Sequence, residues 1–332
     1  MGEPLSEINL PIIRKLIVSA PNGKFLEQHL PLGGFGISRY MLDSMLARLA
    51  KEKGVTIAEQ TKATDVLFQN SSRFLPPMRD TDGQAFNIQH STFNTSAAVV
   101  AGTYGKRGNF DIKWKRKFIE KRSGKLNNYI GVKYHITSDW PPDVIALHNF
   151  KNGYCGISKI EENKYCLCYL TTAANLEKSD HSITKMEEVI LSRNPHLRKI
   201  FTESKKLIDP PITISQISFD KKTQVEEHVL MIGDAAGMIT PLCGNGMSMA
   251  LHGSKIAFHV IDRFLQAQIS RSEMEQQYQN EWNRIFEKRL RTGRIIQRFF
   301  GSVFLSDLLV TTLRPFPGIV TKLIRATHGE PY

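Results

Sequence analysis

The chain has 332 residues, enough to bury a sizeable core as one large composite domain or about two domains. Hydrophobic residues make up 41% and charged residues 23%, ordinary values that exclude a low-complexity or wholly disordered chain. The formal net charge of +12 is not ordinary, and it suits an anionic membrane surface, an acidic substrate or carrier, or nucleic acid. Nucleic acid is set aside, since no helix-turn-helix, zinc-finger or aromatic RNA-binding pattern accompanies the charge. Cys155, Cys166, Cys168 and Cys243 show neither paired CxxC spacing nor a dense disulfide framework, so a reducing cytoplasm is expected. No run of about 18 apolar residues and no signal peptide is evident.

Taken in order, residues 14–20 and 25–30 flank Pro21-Asn22-Gly23 and predict a hairpin with an Asn-Gly turn. Ser38 then caps a helix on which Met41, Leu42, Met45, Leu46, Leu49 and Ala50 recur at helical spacing until Gly54. Residues 55–57 predict the next strand, and residues 96–101 a small apolar strand entering Gly102-Thr103-Tyr104-Gly105-Lys106-Arg107. From Asn128 the pattern becomes antiparallel, with strands at residues 129–135, 144–150, 154–160 and 165–171. Cys166 and Cys168 share one face of the last of these and read as two packed thiols. A helix over residues 186–201, interrupted at Asn194-Pro195, and a return strand at residues 212–219 complete this part.

Residues 229–232 are an unbroken apolar run, as expected of a strand buried on both faces, and they end in Gly233-Asp234-Ala235-Ala236. A carboxylate at the end of such a strand lies at the edge where open α/β sheets bind ligands. After Pro241, Gly244 and Gly246 let the backbone pass close to a flat group, and the backbone at Gly246 is expected to need unusual dihedrals. A helix follows from Met247, whose packing face is expected to carry Ala250, Leu251, Ser254, Ala257, Phe258, Ile261, Phe264 and Leu265. Its positive dipole end would face the glycine loop, ready for an electron-rich group. Beyond it the C-terminal part is helical and, taken as a whole, basic: helices are expected over residues 273–300, 303–313 and 319–326, the cations crowd into the first of them, and the chain breaks at Arg314-Pro315-Phe316-Pro317. These helices suit ordinary helix packing, the cover of an apolar tunnel, or a membrane surface.

Gly233, Asp234, Ala235, Ala236, Pro241, Gly244, Gly246, Met247 and Ala250 resemble, in order and spacing, the C-terminal flavin motif of the group that includes p-hydroxybenzoate hydroxylase, geranylgeranyl reductases and flavin-dependent halogenases. The resemblance implies that Gly233-Asp234 holds the ribitol of FAD and that the later glycines lie by the isoalloxazine. Ile37-Ser38-Arg39 with Leu42, Asp43 and Leu46 is similar to the group's second marker, which implies that Arg39 reaches FAD. Gly105 matches the glycine of its third marker, with Tyr104 where the group carries aspartate. The group's opening GxGxxG unit has no counterpart in these residues, so the resemblance covers the later part of the family pattern.

The expected fold is therefore mixed α/β: an N-terminally incomplete, Rossmann-like parallel sheet for FAD, an antiparallel substrate sheet, and C-terminal helices. The flavin half would comprise residues 32–107 and 220–268, the substrate half residues 10–31 and 108–219, and the helices residues 269–332. By resemblance the activity is that of an FAD-dependent oxidoreductase, first a monooxygenase on an apolar or aromatic small molecule, with NADPH or NADH as reductant. The alternatives are a geranylgeranyl-reductase-like alkene reductase acting on a prenyl or lipid chain, and a non-catalytic relative that binds a lipid or partner. Halogenation ranks behind these, because Trp114, Trp140 and Trp282 stand alone rather than in the group's WxWxIP signature. An apolar or carrier-bound substrate and peripheral membrane contact are the expected partners. No metal is expected, since the histidines form no HExxH or Cys/His ligand pattern.

Overall fold

The structure is a computed structural model that describes residues 8–70, 84–120 and 128–328. Its strands are β1 Ile12–Ser19, β2 Phe25–Phe35, β3 Ala63–Asn70, β4 Gln84–His90, β5 Asn94–Ala97, β6 Ala101–Gly102, β7 Tyr129–Thr137, β8 Val144–Phe150, β9 Gly153–Lys159, β10 Tyr165–Thr172, β11 Lys205–Lys206, β12 Ile212–Ile217, β13 Val225–Glu226 and β14 Val229–Met231. The helices are α1 Arg39–Glu52, α2 Asn109–Lys113, α3 Lys117–Glu120, α4 Ala173–Glu177, α5 Ile183–Val189, α6 Pro195–Glu203, α7 Gly246–Leu265, α8 Arg271–Gln297, α9 Val303–Leu313 and α10 Pro317–His328. Two compact units result: Met1–Ile57 with Asn128–Ile217 and Ile295–Arg325, and Ala58–Asn127 with Ser218–Arg294 and Ala326–Tyr332. Compactness thus groups α1 with the antiparallel sheet, where division by motif puts it in the flavin half. Residues 71–83, which that division also includes, lie outside the described residues.

The first unit is built on a sheet in the order β11-β7-β10-β9-β8-β1-β2, with β12 also on β7. Its pairings are antiparallel except for β1 on β8. The Asn-Gly turn joins β1 to β2: Gly23 takes φ +89°, and Asn22 Oδ1 accepts from the Lys24 amide at 2.9 Å. Strand alternation sets the core, since Tyr165, Leu167 and Tyr169 of β10 are buried with Met186, Leu191, Leu197 and Ile200. Cys166 and Cys168 point to the opposite face, and Cys168 is exposed, so these thiols are not part of that packed core. Asn194 both caps α6 and donates to Ser19, Ala20 and Asn149, which explains the break before Pro195. Residues 55–57 form no strand: among the described residues they have no ladder partner, and Val55 is exposed.

Among its described residues the second unit holds two small sheets, β13-β14-β6 and β3-β4-β5. Among the described residues its parallel pairing is the ladder of β14 on β6, flanked by antiparallel β13. The sequence pattern does not mark the β3-β4-β5 sheet, and the apolar stretch after Ser96 divides, its first part joining β4 and its last part β14. Met274, Tyr278, Trp282, Phe286 and Leu290, four residues apart on α8, form a buried ridge in the core around β14. Helix α7 buries Met249, Gly253, Ile256, Ala257, Val260 and Phe264. This corrects the expected face: Phe258 and Leu265 are exposed, because a helix apolar on two sides packs by whichever side its neighbours meet.

Candidate functional site

Because β6 and β14 run parallel, with Ala101 opposite Leu230 and Gly102 opposite Met231, the turns that follow them emerge at the same sheet edge. The first is the Tyr104-Gly105 turn, the second Gly233-Asp234-Ala235. Gly105 at φ +82° and Gly233 at φ +64° adopt the left-handed backbone that glycine tolerates best. A Cβ on Gly233 would stand 3.3 Å from that of Ala250, so α7 passes tightly against the turn. Lys222, itself buried, ties the two turns together: its Nζ donates to the carbonyls of Lys106 and Asp234, each at 2.7 Å.

The chain then reaches a 3-10 turn, Pro241–Cys243, and Gly244 at φ +66° swings it into α7. The unusual dihedral therefore falls on Gly244, not on Gly246 as the sequence suggested. Gly246 instead supplies space: the nearest atom to a Cβ there is Ile239 Cγ2 at 3.9 Å. The side chain of Asn245, the residue at the α7 N-cap, does not cap the helix, because it turns its amide Nδ2 to the Thr327 carbonyl at 2.6 Å. The buried Asn245 Oδ1 has no hydrogen-bond partner among the described residues. Asp234 and Met247 are partly buried, and Pro241 is exposed. A carboxylate at a strand end, a left-handed glycine and the positive end of an uncapped 20-residue helix suit a hydroxylated, electron-rich ligand. The unpartnered Oδ1 is a further polar group such a ligand can satisfy.

Behind these turns lies a network the sequence did not disclose. Arg116 Nη1 donates to Asp111 Oδ1 at 2.7 Å and to the Ala235 carbonyl at 3.1 Å, and Nη2 donates to the Thr223 carbonyl at 2.8 Å. Tyr104 donates its hydroxyl to the same Asp111 oxygen at 2.8 Å, while Oδ2 accepts from the Gly108 amide at 2.7 Å. Tyr104, standing where the resemblance expects aspartate, thus becomes a prop for a carboxylate supplied by α2. Burial, then Asp111, pushes the Tyr104 hydroxyl far above its ordinary range, so it remains a donor. Burial brings Lys222 down to about 8, with Asp111 opposing that shift and Arg116 adding to it. Lys106 is lowered by burial and by Arg107. Arg116 sits in the basic run at residues 113–117 and Lys222 in the turn Asp220-Lys221-Lys222, and by sequence neither stands out among the chain's many cations. A lone acid between Phe110 and Ile112 was the only local signal.

Gly233, Asp234, Pro241, Gly244, Gly246 and Met247 thus occupy one continuous turn-and-helix segment, and the Lys222 bridge joins Gly105's turn to it. Arg39 belongs to the other unit. It opens α1 after the Ser38 cap and binds the Asp43 carboxylate through Nε at 3.1 Å and Nη2 at 2.9 Å. Ser38 is anchored in turn by its amide, which donates to buried Glu161 at 2.8 Å. Among the described residues no group of three or more His, Cys, Asp or Glu is placed to hold a metal.

No family model matches the chain. Conditioned medium factor receptor 1 of Dictyostelium discoideum is 23% identical over 257 residues, covering 74% of this chain and 47% of that protein. The chain therefore spans about half the length of this curated relative. Among solved structures, a geranylgeranyl bacteriochlorophyll reductase-like protein of Thermoplasma acidophilum superposes with a TM-score of 0.70 at 16% identity, covering 97% of this chain and 80% of its own. A probable FAD-dependent monooxygenase of Pseudomonas aeruginosa gives 0.65 at 13% identity, with 91% and 82% covered. Flavin-dependent halogenases match as well, and the chain covers 58% of one of them. At these identities the likeness is one of fold: the chain folds as flavin-dependent oxidoreductases do.

Proposed function

We propose that this chain belongs to an FAD-dependent oxidoreductase, a monooxygenase acting on an apolar or aromatic small molecule, and that residues 233–247 hold the ribitol and isoalloxazine end of the cofactor. The observation that carries this reading is the joint placement of Asp234, Gly244 and the uncapped start of α7 in one segment. The fold it shares with flavin enzymes supports it. When bound, FAD would supply the two-electron chemistry, with NADPH or NADH as its reductant. Asp234 would accept from ribitol hydroxyls, Gly246 would leave room for a flat ring, and the α7 amide end would face the ring's electron-rich edge. Lys222, Arg116 and Asp111 would hold those turns fixed, as a preorganised site requires.

Titration of FAD by flavin fluorescence tests this. Asp234→Ala should weaken binding about tenfold to a hundredfold, since a bond to a charged group contributes roughly 1.5–3 kcal/mol. Unchanged affinity removes Asp234 from the site. A second reading, reduction of an alkene in a prenyl or lipid chain, is favoured by the Thermoplasma likeness. Oxygen consumption coupled to NADPH or NADH oxidation marks the first reading, and anaerobic turnover of a prenyl substrate the second. FAD binding without turnover on either substrate class would favour a non-catalytic relative.

A further inference from the structure

We propose that the helix pair α9–α10 is an apolar foot, flanked by cations, that docks the protein on an anionic lipid bilayer. One side of α9 packs on β1, β2 and β8, burying Val310 and Ser306, whose Oγ donates to the Phe299 carbonyl at 2.9 Å. The other side presents Phe304, 73% exposed, and Leu308, 50% exposed. Past the Arg314-Pro315 break, Phe316 at 53% and Ile319 at 48% carry the exposed apolar residues onto the start of α10. Single exposed apolar side chains are ordinary. A succession of them along one bent helix pair marks a contact surface.

Charge identifies the occupant. Between residues 295 and 325 the cations are Arg298, Arg314, Lys322 and Arg325, all exposed, and the sole acid is the partly buried Asp307. A second copy seated on this face would bring the same cations against one another, in a chain already at +12. Anionic phospholipid headgroups neutralise them while the apolar side chains enter the acyl boundary. Shape agrees with surface contact. No single helix among the described residues is long and apolar enough to cross a bilayer, and α9 and α10 reach that length only as a pair bent by 119°. A pair so bent cannot run straight through, and its apolar flank can lie in the interface.

The test is co-sedimentation of the full chain with sucrose-loaded vesicles of phosphatidylcholine alone, or mixed with phosphatidylserine, at low and high salt. The parent should bind the anionic vesicles about tenfold or more tightly than the neutral ones, and less at high salt. Phe304→Ser with Phe316→Ser should cost about tenfold or more on anionic vesicles, from the apolar area returned to water. Arg314→Glu with Lys322→Glu should weaken anionic binding by about fivefold or more per cation and leave neutral binding unchanged. All four positions are exposed, so circular dichroism and thermal unfolding should match the parent. The proposal is overturned if the parent stays in the supernatant, or if either pair of substitutions binds as the parent does. Sedimentation equilibrium showing a dimer that Phe316→Ser dissociates would overturn it too, and would assign the face to a second copy.

Discussion

Asp111 and Arg116 form an ion pair at 2.7 Å with side chains 0% and 1% exposed, so each charge depends on the other for its solvation. Removing one partner of such a pair strands a buried charge and costs about 3–5 kcal/mol. Asp111→Ala should therefore lower the unfolding free energy by about that much in urea melts. Asp111→Ala combined with Arg116→Met should recover a large share of the loss. A double variant no more stable than the single would show that Arg116's bonds to the carbonyls of Ala235 and Thr223 matter more than the pairing.

Lys222 gives the second unit an alkaline signature. Its amine falls from 10.5 to about 8 in the folded chain, chiefly by burial. Between those values the unfolded chain carries a proton that the folded one has released, so stability rises with pH. The cost of the buried charge is present below about 8 and gone above 10.5. In urea melts from pH 8 to 10, the parent should gain up to about 1.4 kcal/mol per pH unit relative to Lys222→Met. Parallel curves for the two proteins would mean that Lys222 stays charged.

His148 should make the first unit sensitive to acid. It is fully buried, its Nδ1 lies 2.8 Å from Ser19 Oγ, its Nε2 has no hydrogen-bond partner among the described residues, and its ring stacks on His196 at 5.1 Å. Burial, then His196, brings it from 6.5 down to about 3. The stability tied to the neutral ring is whole above 6.5 and is lost as pH falls toward 3, because only the unfolded chain takes up the proton. The advantage of the parent over His148→Gln should shrink by about 1.4 kcal/mol per pH unit across that window. A constant difference between pH 7 and pH 4 would refute it.

Two glycines should respond differently to alanine. A Cβ on Gly36 would fall 1.8 Å from the Lys159 carbonyl oxygen, a backbone atom that cannot step aside. Gly36→Ala should cost at the upper end of about 1–3 kcal/mol or more. Gly244 has open space around its Cβ position but sits at φ +66°, so Gly244→Ala should cost only about 1–2 kcal/mol, from backbone strain. Thermal unfolding orders the two, and a reversed order would mean that the segment after β2 yields more readily than the turn before α7.

What the sequence determined by itself is what neighbours in the chain decide. Asn22-Gly23 is a hairpin turn because glycine accepts its φ of +89°, and Ser38 starts α1 because its hydroxyl accepts from the Met41 amide. The alternation of Tyr165, Leu167 and Tyr169 with Cys166 and Cys168 writes a strand with one buried face. The order of Gly233, Asp234, Gly244 and Gly246 likewise places a strand end, a turn and a helix start in succession.

Tertiary structure decided whatever depends on a partner brought from elsewhere. Residues 55–57 have the composition of a strand but no strand to pair with among the described residues, and Phe258 has the hydrophobicity of a core residue but stays exposed on its side of α7. Arg116 reads as one cation among several until Asp111, Thr223 and Ala235 close around it. Lys222 acquires its role only where the turns of Lys106 and Asp234 converge on its amine. A side chain's type sets what it can bond, whereas its burial and its partners are set by the segments that fold against it.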